Sequence, residues 1–267
     1  MKRIGIDAGG SLVKVAYEEN GKRHYKTFEI AEIGRLLDWL RWIAPDTQFF
    51  ITGGNASRLQ ETLPITTEVP EFDAVCKGAQ VLITEEMSMD EPFLLVSIGT
   101  GTSYYLVKPN LAPQRLLGSG MGGGTFMGIG KMLTGAEEFK ELVKLARKGD
   151  RTTVDLMVKD LYTFGNTPLP GHLTASNFAK GKSEGYVKED AVRSLINMIA
   201  ETAVLMANGA AQIHGVQKWV FVGSTLSGNQ PLKDDLSQFR DMIPYEPIFL
   251  THGAYAGAVG ALVNGEK

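Results

Sequence analysis

A strand, a glycine-rich turn and a returning strand occur twice in this chain, and the pair constrains its fold more than any other feature. The first copy runs Ile4-Gly5-Ile6-Asp7-Ala8-Gly9-Gly10-Ser11-Leu12-Val13-Lys14-Val15. Ile4 and Ile6 alternate with small or polar residues, Val13 and Val15 do so on the return, and the turn between them is one that only glycines fit easily. The second copy runs from Phe93 to Val107 through Ser97-Ile98-Gly99-Thr100-Gly101-Thr102-Ser103, and its Val96-Ser97-Ile98-Gly99 echoes Ile6-Asp7-Ala8-Gly9. A plain hairpin turn does not need Asp7 at the end of one strand, Ser11 in the turn and Lys14 on the return. Backbone N–H groups bared by glycine, a carboxylate able to hold a Mg2+ water, a hydroxyl and an ammonium are the groups that grip phosphate. Either turn alone also reads as an ordinary connection. Two with the same polar decoration, each opening an α/β half, read as a clamp on a polyphosphate from both sides.

The intervening stretch is α/β in pattern. Tyr25 to Ile30 reads as a third strand. Ile33, Leu36, Leu37, Leu40 and Ile43 fall at helical spacing, with Pro45 as the stop. A strand at Phe49–Thr52 then runs into Gly53-Gly54-Asn55, completing a strand, helix, strand order. Pro70 fits the first turn of the next helix, where Glu71 and Asp73 complement the helix dipole. On composition Glu71 is therefore an acidic first-turn residue; a chemical role enters only with a hydroxyl-bearing substrate in the cleft.

Charge and cysteine content narrow the setting. The 27 basic and 30 acidic side chains are spread without a basic stripe, which argues against nucleic acid as a partner. No apolar run suggests a membrane span, and Asp7 interrupts any signal-peptide core. One cysteine, Cys76, precludes an internal disulfide and fits a reducing, cytoplasmic location; it reads as a small buried residue rather than a reactive thiol. Four histidines without paired His or Cys ligands make a structural zinc unexpected.

Further along, Gly118-x-Gly120-x-x-Gly123 satisfies a dinucleotide pattern. No clear strand ends immediately before it, so a Rossmann fingerprint is not expected, and the Walker A lysine-hydroxyl pair is absent. What remains is a glycine run, Gly122-Gly123-Gly124-Thr125-Phe126, feeding a helix over 126–133 whose N-terminus suits a phosphate or the close approach of a nucleoside. Amphipathic helices are predicted over 137–147 and 152–161. The Asn166–Gly171 turn presents Thr174, Ala175 and Ser176, which line a substrate pocket or cap a helix. A long apolar-faced helix covers 189–213. The strand from Trp219 ends in Gly223-Ser224-Thr225, where a ligand beyond a strand's carboxyl end is expected. A last strand (246–250) and a small-residue helix (254–263) close the pattern, with His252 between them.

Taken together, these words resemble the acetate kinase, sugar kinase, Hsp70 and actin superfamily, and within it the type II pantothenate kinases of the staphylococcal and eukaryotic-like branch. The matching stretches are Gly5 to Lys14, Glu71-Phe72-Asp73, Ile98 to Ser103, Arg115 with Gly122 to Thr125, and His252 to Ala261, in family order over nearly the whole chain. Ser11 stands where threonine is expected in close relatives. The resemblance implies a two-domain α/β fold of the actin-like (ribonuclease H-like) kind, divided near residue 112 into 1–112 and 113–267, with the nucleotide cleft between. It implies MgATP as cofactor and transfer of the γ-phosphoryl group to pantothenate, the first step of coenzyme A synthesis. Carried over by residue, Asp7, Ala8, Gly9, Gly10, Ser11, Leu12, Val13 and Lys14 form the first phosphate loop, with Asp7 near the metal through water. Thr100 and Gly101 hold phosphate, Thr102 and Thr174 hold pantothenate, and Gly122 to Phe126 with Ser224 belong to the nucleotide pocket. Glu71 is the general base and Arg115 steadies the transferring phosphoryl group. Relatives are homodimers, and the helix around Ala203 reads equally as the dimer contact or a buried monomer helix.

Two other readings stay open from sequence. A sugar or N-acetylhexosamine kinase shares the ATP loops, although its usual Asn-Asp strand end has no counterpart here. A nucleotide-driven switch shares them too, although 267 residues leave little room for an interaction domain.

Overall fold

The computed structural model describes residues 2–43, 47–162, 169–181 and 187–264. Pro45, expected to stop the first helix, and Asn166 to Pro168 of the turn before Thr174 lie outside the described residues. β1 (Lys2–Ala8) and β2 (Leu12–Glu19) form the opening hairpin, antiparallel, with Asp7 opposite Lys14 and Ala8 opposite Val13. β3 (Lys22–Glu29) continues antiparallel and leads to α1 (Ile33–Ile43), whose Leu36 and Leu40 bury against Ile4, Ile6, Phe49 and Ile51. β4 (Thr47–Thr52), α2 (Ala56–Gln60) and the short β5 (Thr66–Glu68) complete a five-stranded sheet of order β3-β2-β1-β4-β5. β1 and β4 are parallel neighbours, so their carboxyl ends lie side by side.

α3 (Glu71–Met87) begins directly after Pro70 and carries the chain to a second sheet. There β6 (Phe93–Ile98) and β7 (Thr102–Val107) make the second hairpin, and β8 (Gln114–Ser119) pairs antiparallel with β7, Tyr105 opposite Arg115. Next come α4 (Gly123–Thr134), α5 (Phe139–Ala146), β9 (Leu156–Met157), α6 (Val158–Leu161) and β10 (Thr174–Ser176). The 27-residue α7 (Lys188–His214), β11 (Lys218–Val222), α8 (Gln230–Gln238), β12 (Glu246–Phe249) and α9 (Ala256–Asn264) follow. The second sheet has the order β12-β11-β6-β7-β8, with α7 packed across one face.

Three expectations change. The strands switch sheets between Glu68 and Phe93, so a division at residue 112 cuts through the second sheet: β6 and β7 pair with strands that follow it. Residues 152–161 do not form one helix. Asp155 turns inward, wholly buried, where its carboxylate accepts hydrogen bonds from the Phe178 N–H at 3.0 Å and from Ser194 Oγ, and the chain breaks into a 3-10 turn, β9 and α6. A strand does end before the glycine run, at Ser119. It is an antiparallel edge strand with exposed Gln114 and Arg115, which hides its alternation, and it does not make the parallel unit a Rossmann site requires.

The two halves are joined by close helix packing. A Cβ at Gly78 on α3 would stand 1.8 Å from the Ala256 carbonyl oxygen, and one at Gly260 on α9 only 1.7 Å from that of Ala74. A Cβ at Gly5 on β1 would stand 2.1 Å from Ala258 O, so α9 lies flush against both α3 and β1. Backbone cannot yield as a side-chain tip can. Gly78→Ala is expected to cost about 1–3 kcal/mol and lower the melting temperature. Gly34→Ala, on α1 with open space around it, should instead stabilise by about 0.5–1 kcal/mol in the same melts.

Candidate active site

The two glycine turns face one another. A Cβ at Gly10 would lie 3.4 Å from Thr100 Oγ1, which puts the tip of the first hairpin against the tip of the second. The first turn is braced from β4's end: Asn55 Nδ2 donates to Gly9 O at 2.8 Å, the Asn55 N–H to Ala8 O at 3.0 Å, and the Gly9 N–H to Leu12 O at 3.0 Å. Gly10 and Ser11 stay exposed, and no hydrogen bond within the described residues takes their amide N–H groups. Ala8 and Val13 are wholly buried and Leu12 partly so, hence they shape the loop through the main chain.

Asp7 and Lys14, cross-strand partners, pair at 3.1 Å (Nζ to Oδ2), with Lys14 only 9% exposed. A Cβ at Gly53 would come within 2.9 Å of Asp7 Oδ1 and one at Gly257 within 2.8 Å of Oδ2. Gly53 also has φ +95°, a left-handed conformation that favours glycine. Glycine thus keeps side chains off both carboxylate oxygens. Among the described residues no group of three or more His, Cys, Asp or Glu could hold a metal alone. One carboxylate beside a turn with free N–H groups nevertheless fits Mg2+, which keeps several waters and takes one or two carboxylates plus phosphate oxygens.

Glu71, at the first position of α3, approaches this pair. Its side chain reaches solvent at the cleft edge, yet the surrounding protein excludes enough water to raise its pKa above the ordinary carboxylate value. Asp7 adds to the rise and Lys14 opposes it, which places all three within electrostatic reach. The next residue, Phe72, stacks near Tyr105 with ring centroids 5.6 Å apart, and the Arg115 guanidinium carbon lies 5.2 Å from the Phe72 ring centre. Burial pushes the Tyr105 hydroxyl up to about 12, with Glu71 raising it and Arg115 lowering it in smaller measure. Asp7, Lys14 and Glu71, from β1, β2 and α3, thus act on one another, and Arg115 on β8 meets Glu71 only through their shared neighbour Tyr105.

The glycine run has a different task from the one expected. The N–H groups of Gly123 and Gly124 donate to Gly99 O and Thr100 O, each at 2.8 Å, so the first turn of α4 is fastened to the second hairpin. Thr102 is 2% exposed and its hydroxyl donates to Met121 O at 2.7 Å, holding the same loop; it offers almost no surface to a substrate. Phe126, 1% exposed, is a core ring edge-on to Phe139. The Thr125 hydroxyl donates to Gly120 O. Thr174 Oγ1 accepts from Arg151 Nη1 at 2.8 Å and Asn197 Nδ2 at 3.1 Å, and no described contact joins it to the Glu71 group.

A cavity of about 260 Å3 opens beside the carboxyl ends of β11 and β12, lined by Phe221, Gly223, Leu226, Lys233, Phe249 and Gly253. Ser224 follows Gly223 at its rim, and Thr225 Oγ1 donates to Gly99 O at 2.9 Å, tying the cavity wall to the second turn. A larger, open cleft of about 510 Å3 between Arg147, Arg193 and Asp234 shares no lining residue with these elements. Phe72, Tyr105, Gly257 and Lys233 escaped the sequence reading. Phe72 lay within the Glu71-Phe72-Asp73 word, but nothing local tells which way its ring turns.

The fold is shared with an activator of 2-hydroxyisocaproyl-CoA dehydratase from Clostridium difficile with bound ADPNP (TM-score 0.67, 17% identity, 99% of this chain and 94% of that one). It is shared too with a ROK family glucokinase from Streptomyces griseus in complex with glucose and AMPPNP (TM-score 0.56, 12% identity, 99% of both chains). These likenesses show a shared two-sheet α/β fold. The sequence profile of the Fumble family matches residues 18–264. The chain is 42% identical to the type II pantothenate kinase of Oceanobacillus iheyensis, over 99% of this chain and 100% of that protein. It is 34% identical to that of Staphylococcus saprophyticus, over 97% and 99%. The chain belongs to the Fumble family, that of the type II pantothenate kinases.

Proposed function

We propose that this chain transfers the γ-phosphoryl group of ATP to the primary hydroxyl of pantothenate, with Glu71 as base and Arg115 as electrostatic support. The observation that carries the residue roles is the placement of Glu71 beside Asp7 and Lys14 with Arg115 one aromatic ring away. Full-length relationship to type II pantothenate kinases supports the acceptor.

Phosphate oxygens lie between the free N–H groups of Gly10 and Ser11 on one side and Thr100 with Gly101 on the other. Lys14 contributes its charge from within the loop, and the adenine moiety takes the cavity beyond Ser224. Asp7 would hold Mg2+, which would supply positive charge to offset that of the phosphates. Glu71 accepts the hydroxyl proton as the O–P bond forms, which a primary alcohol near neutral pH requires. Arg115, planar and permanently charged, faces the phosphoryl oxygens as charge spreads over them. Thr102 holds the second turn rather than touching pantothenate; Gly122, Gly123, Gly124 and Thr125, expected on the nucleotide side, build the same turn, and Phe126 underpins it from the core. Thr174 sits on β10, away from the Glu71 group, and reaches pantothenate only from a second wall of the pocket.

We assign the homodimer contact to the outer face of α7, where Leu205 and Ile213 are 56% and 81% exposed; Ala203 itself is 2% exposed in the core. Sedimentation of Leu205→Glu/Ile213→Glu should show a smaller species than the parent. Cys76 is buried, with its thiol pushed up to about 12 by burial, as a small core residue. Among the described residues no helix is long and apolar enough to cross a membrane.

The test of function is a substrate panel with MgATP. 4'-Phosphopantothenate is the expected product; turnover of a hexose or N-acetylhexosamine with none of pantothenate overturns the proposal.

A further inference from the structure

We infer that Phe72 is a positioning residue whose ring holds the Arg115 guanidinium, for which Gly118 leaves room. The inference rests on the role assigned to Arg115 in phosphoryl transfer. Arg115 stands on the exposed edge strand β8, and within the described residues no hydrogen bond or ion pair holds its guanidinium. A long cationic side chain in that position samples many rotamers unless something restrains it. The Phe72 ring lies 5.2 Å from the guanidinium carbon. A Cβ at Gly118 would stand 2.6 Å from Arg115 Nη2, so the absence of a side chain there makes room for the fork.

The ring is itself anchored. It leans on Tyr105, which is 3% exposed, at 5.6 Å and an interplanar angle of 54°. Phe72 remains 49% exposed although it is large and apolar, as a ring that works at a cleft wall must be. The choice of an aromatic holder has a chemical consequence. A carboxylate partner would fix Arg115 but would take up its N–H donors and offset its charge. A π face attracts the cation while leaving the in-plane N–H groups and the full charge for phosphoryl oxygens. Because Phe72 directly follows Glu71 on α3, the same helical turn sets both the base and the arginine.

The test combines kinetics with a direct view of the side chain. In steady-state assays with MgATP and pantothenate, Phe72→Ala and the apolar but non-aromatic Phe72→Leu are expected to lower kcat about ten- to a hundredfold, with KM for ATP near the parent value. Phe72→Tyr should restore most of kcat, and Gly118→Ala should lower it. Phe72→Ala combined with Arg115→Ala should be no worse than Arg115→Ala alone, because the ring acts through the arginine. Multiplying losses in the double variant, or parental kcat in Phe72→Leu, overturn the inference. NMR relaxation of the Arg115 Nε–Hε group separates this from the underlying reading. If the parent protein turns over no pantothenate but Arg115 still gains mobility in Phe72→Leu, the positioning stands and the reaction assignment fails. Unchanged mobility refutes the positioning whatever the reaction.

Discussion

Glu71→Gln is expected to bind ATP as the parent does while losing turnover by about 10²–10⁴-fold. The substitution keeps the size and the hydrogen-bonding oxygen at the start of α3 and removes only the ability to take a proton. ATP affinity, measured by calorimetry, depends on the two turns and Lys14 and should be little changed; near-normal kcat would move the base elsewhere, with Asp73 the next candidate. The pH dependence follows from the raised pKa of Glu71, caused first by burial and then by Asp7. Its ionised form is the active one, so kcat should fall on the acid side at a pH above the ordinary carboxylate range, and the residual activity of Glu71→Gln should lack that limb. Stability runs the other way. A carboxyl whose folded pKa lies above its unfolded value lends stability that is fully present below the unfolded pKa and lost as pH rises through the folded one. At neutral pH the ionised group therefore burdens the fold, and Glu71→Gln should melt higher than the parent while the difference shrinks in acid.

Arg115→Lys is expected to lower kcat by about 10²–10³-fold, although charge is conserved. Lysine presents a compact ammonium instead of a planar fork, cannot engage two phosphoryl oxygens in fixed geometry, and stacks less well on Phe72. KM for ATP should rise less than kcat falls, since ATP is gripped mainly by the facing turns. An equal rise in KM with unchanged kcat would make Arg115 a binding residue only. Arg115 makes no hydrogen bond or ion pair within the described residues, and lysine keeps a cation beside the Phe72 ring, so the melting temperature should hold, which keeps the kinetic result interpretable.

Legibility from sequence followed the range of the forces involved. The two hairpins, the helix at 33–43 and the strand at 218–222 are set by alternation, helical spacing and glycine turns, all local, and each stands where the pattern puts it. Facing of the turns was inferred from their echo, and the 3.4 Å approach of Gly10 and Thr100 Oγ1 agrees. Edge strand β8 was missed because exposure on an edge erases alternation. The helix expected over 152–161 failed on Asp155, whose partners Phe178 and Ser194 are distant in sequence. At the site, the resemblance implies ligand contacts for Thr102, Gly123 and Gly124. Long-range pairing had already engaged them. Residue chemistry says what a group can bind; only the tertiary structure says whether it is still free.

The seating of α9 has a consequence for the order of events at the ribosome. This helix covers β1, β2 and β4 and interlocks with α3 through Gly78 and Gly260, yet it is synthesised after every strand of the second sheet. The sheet made first is thus left with an uncovered face until residues 256–264 emerge. Its strands and the apolar face of α3 stay open to chaperones during translation, and Asp7 acquires its Gly257 wall only afterwards. The nascent chain is predicted to gain protease resistance in one late step, rather than first over residues 2–87 and then over the remainder.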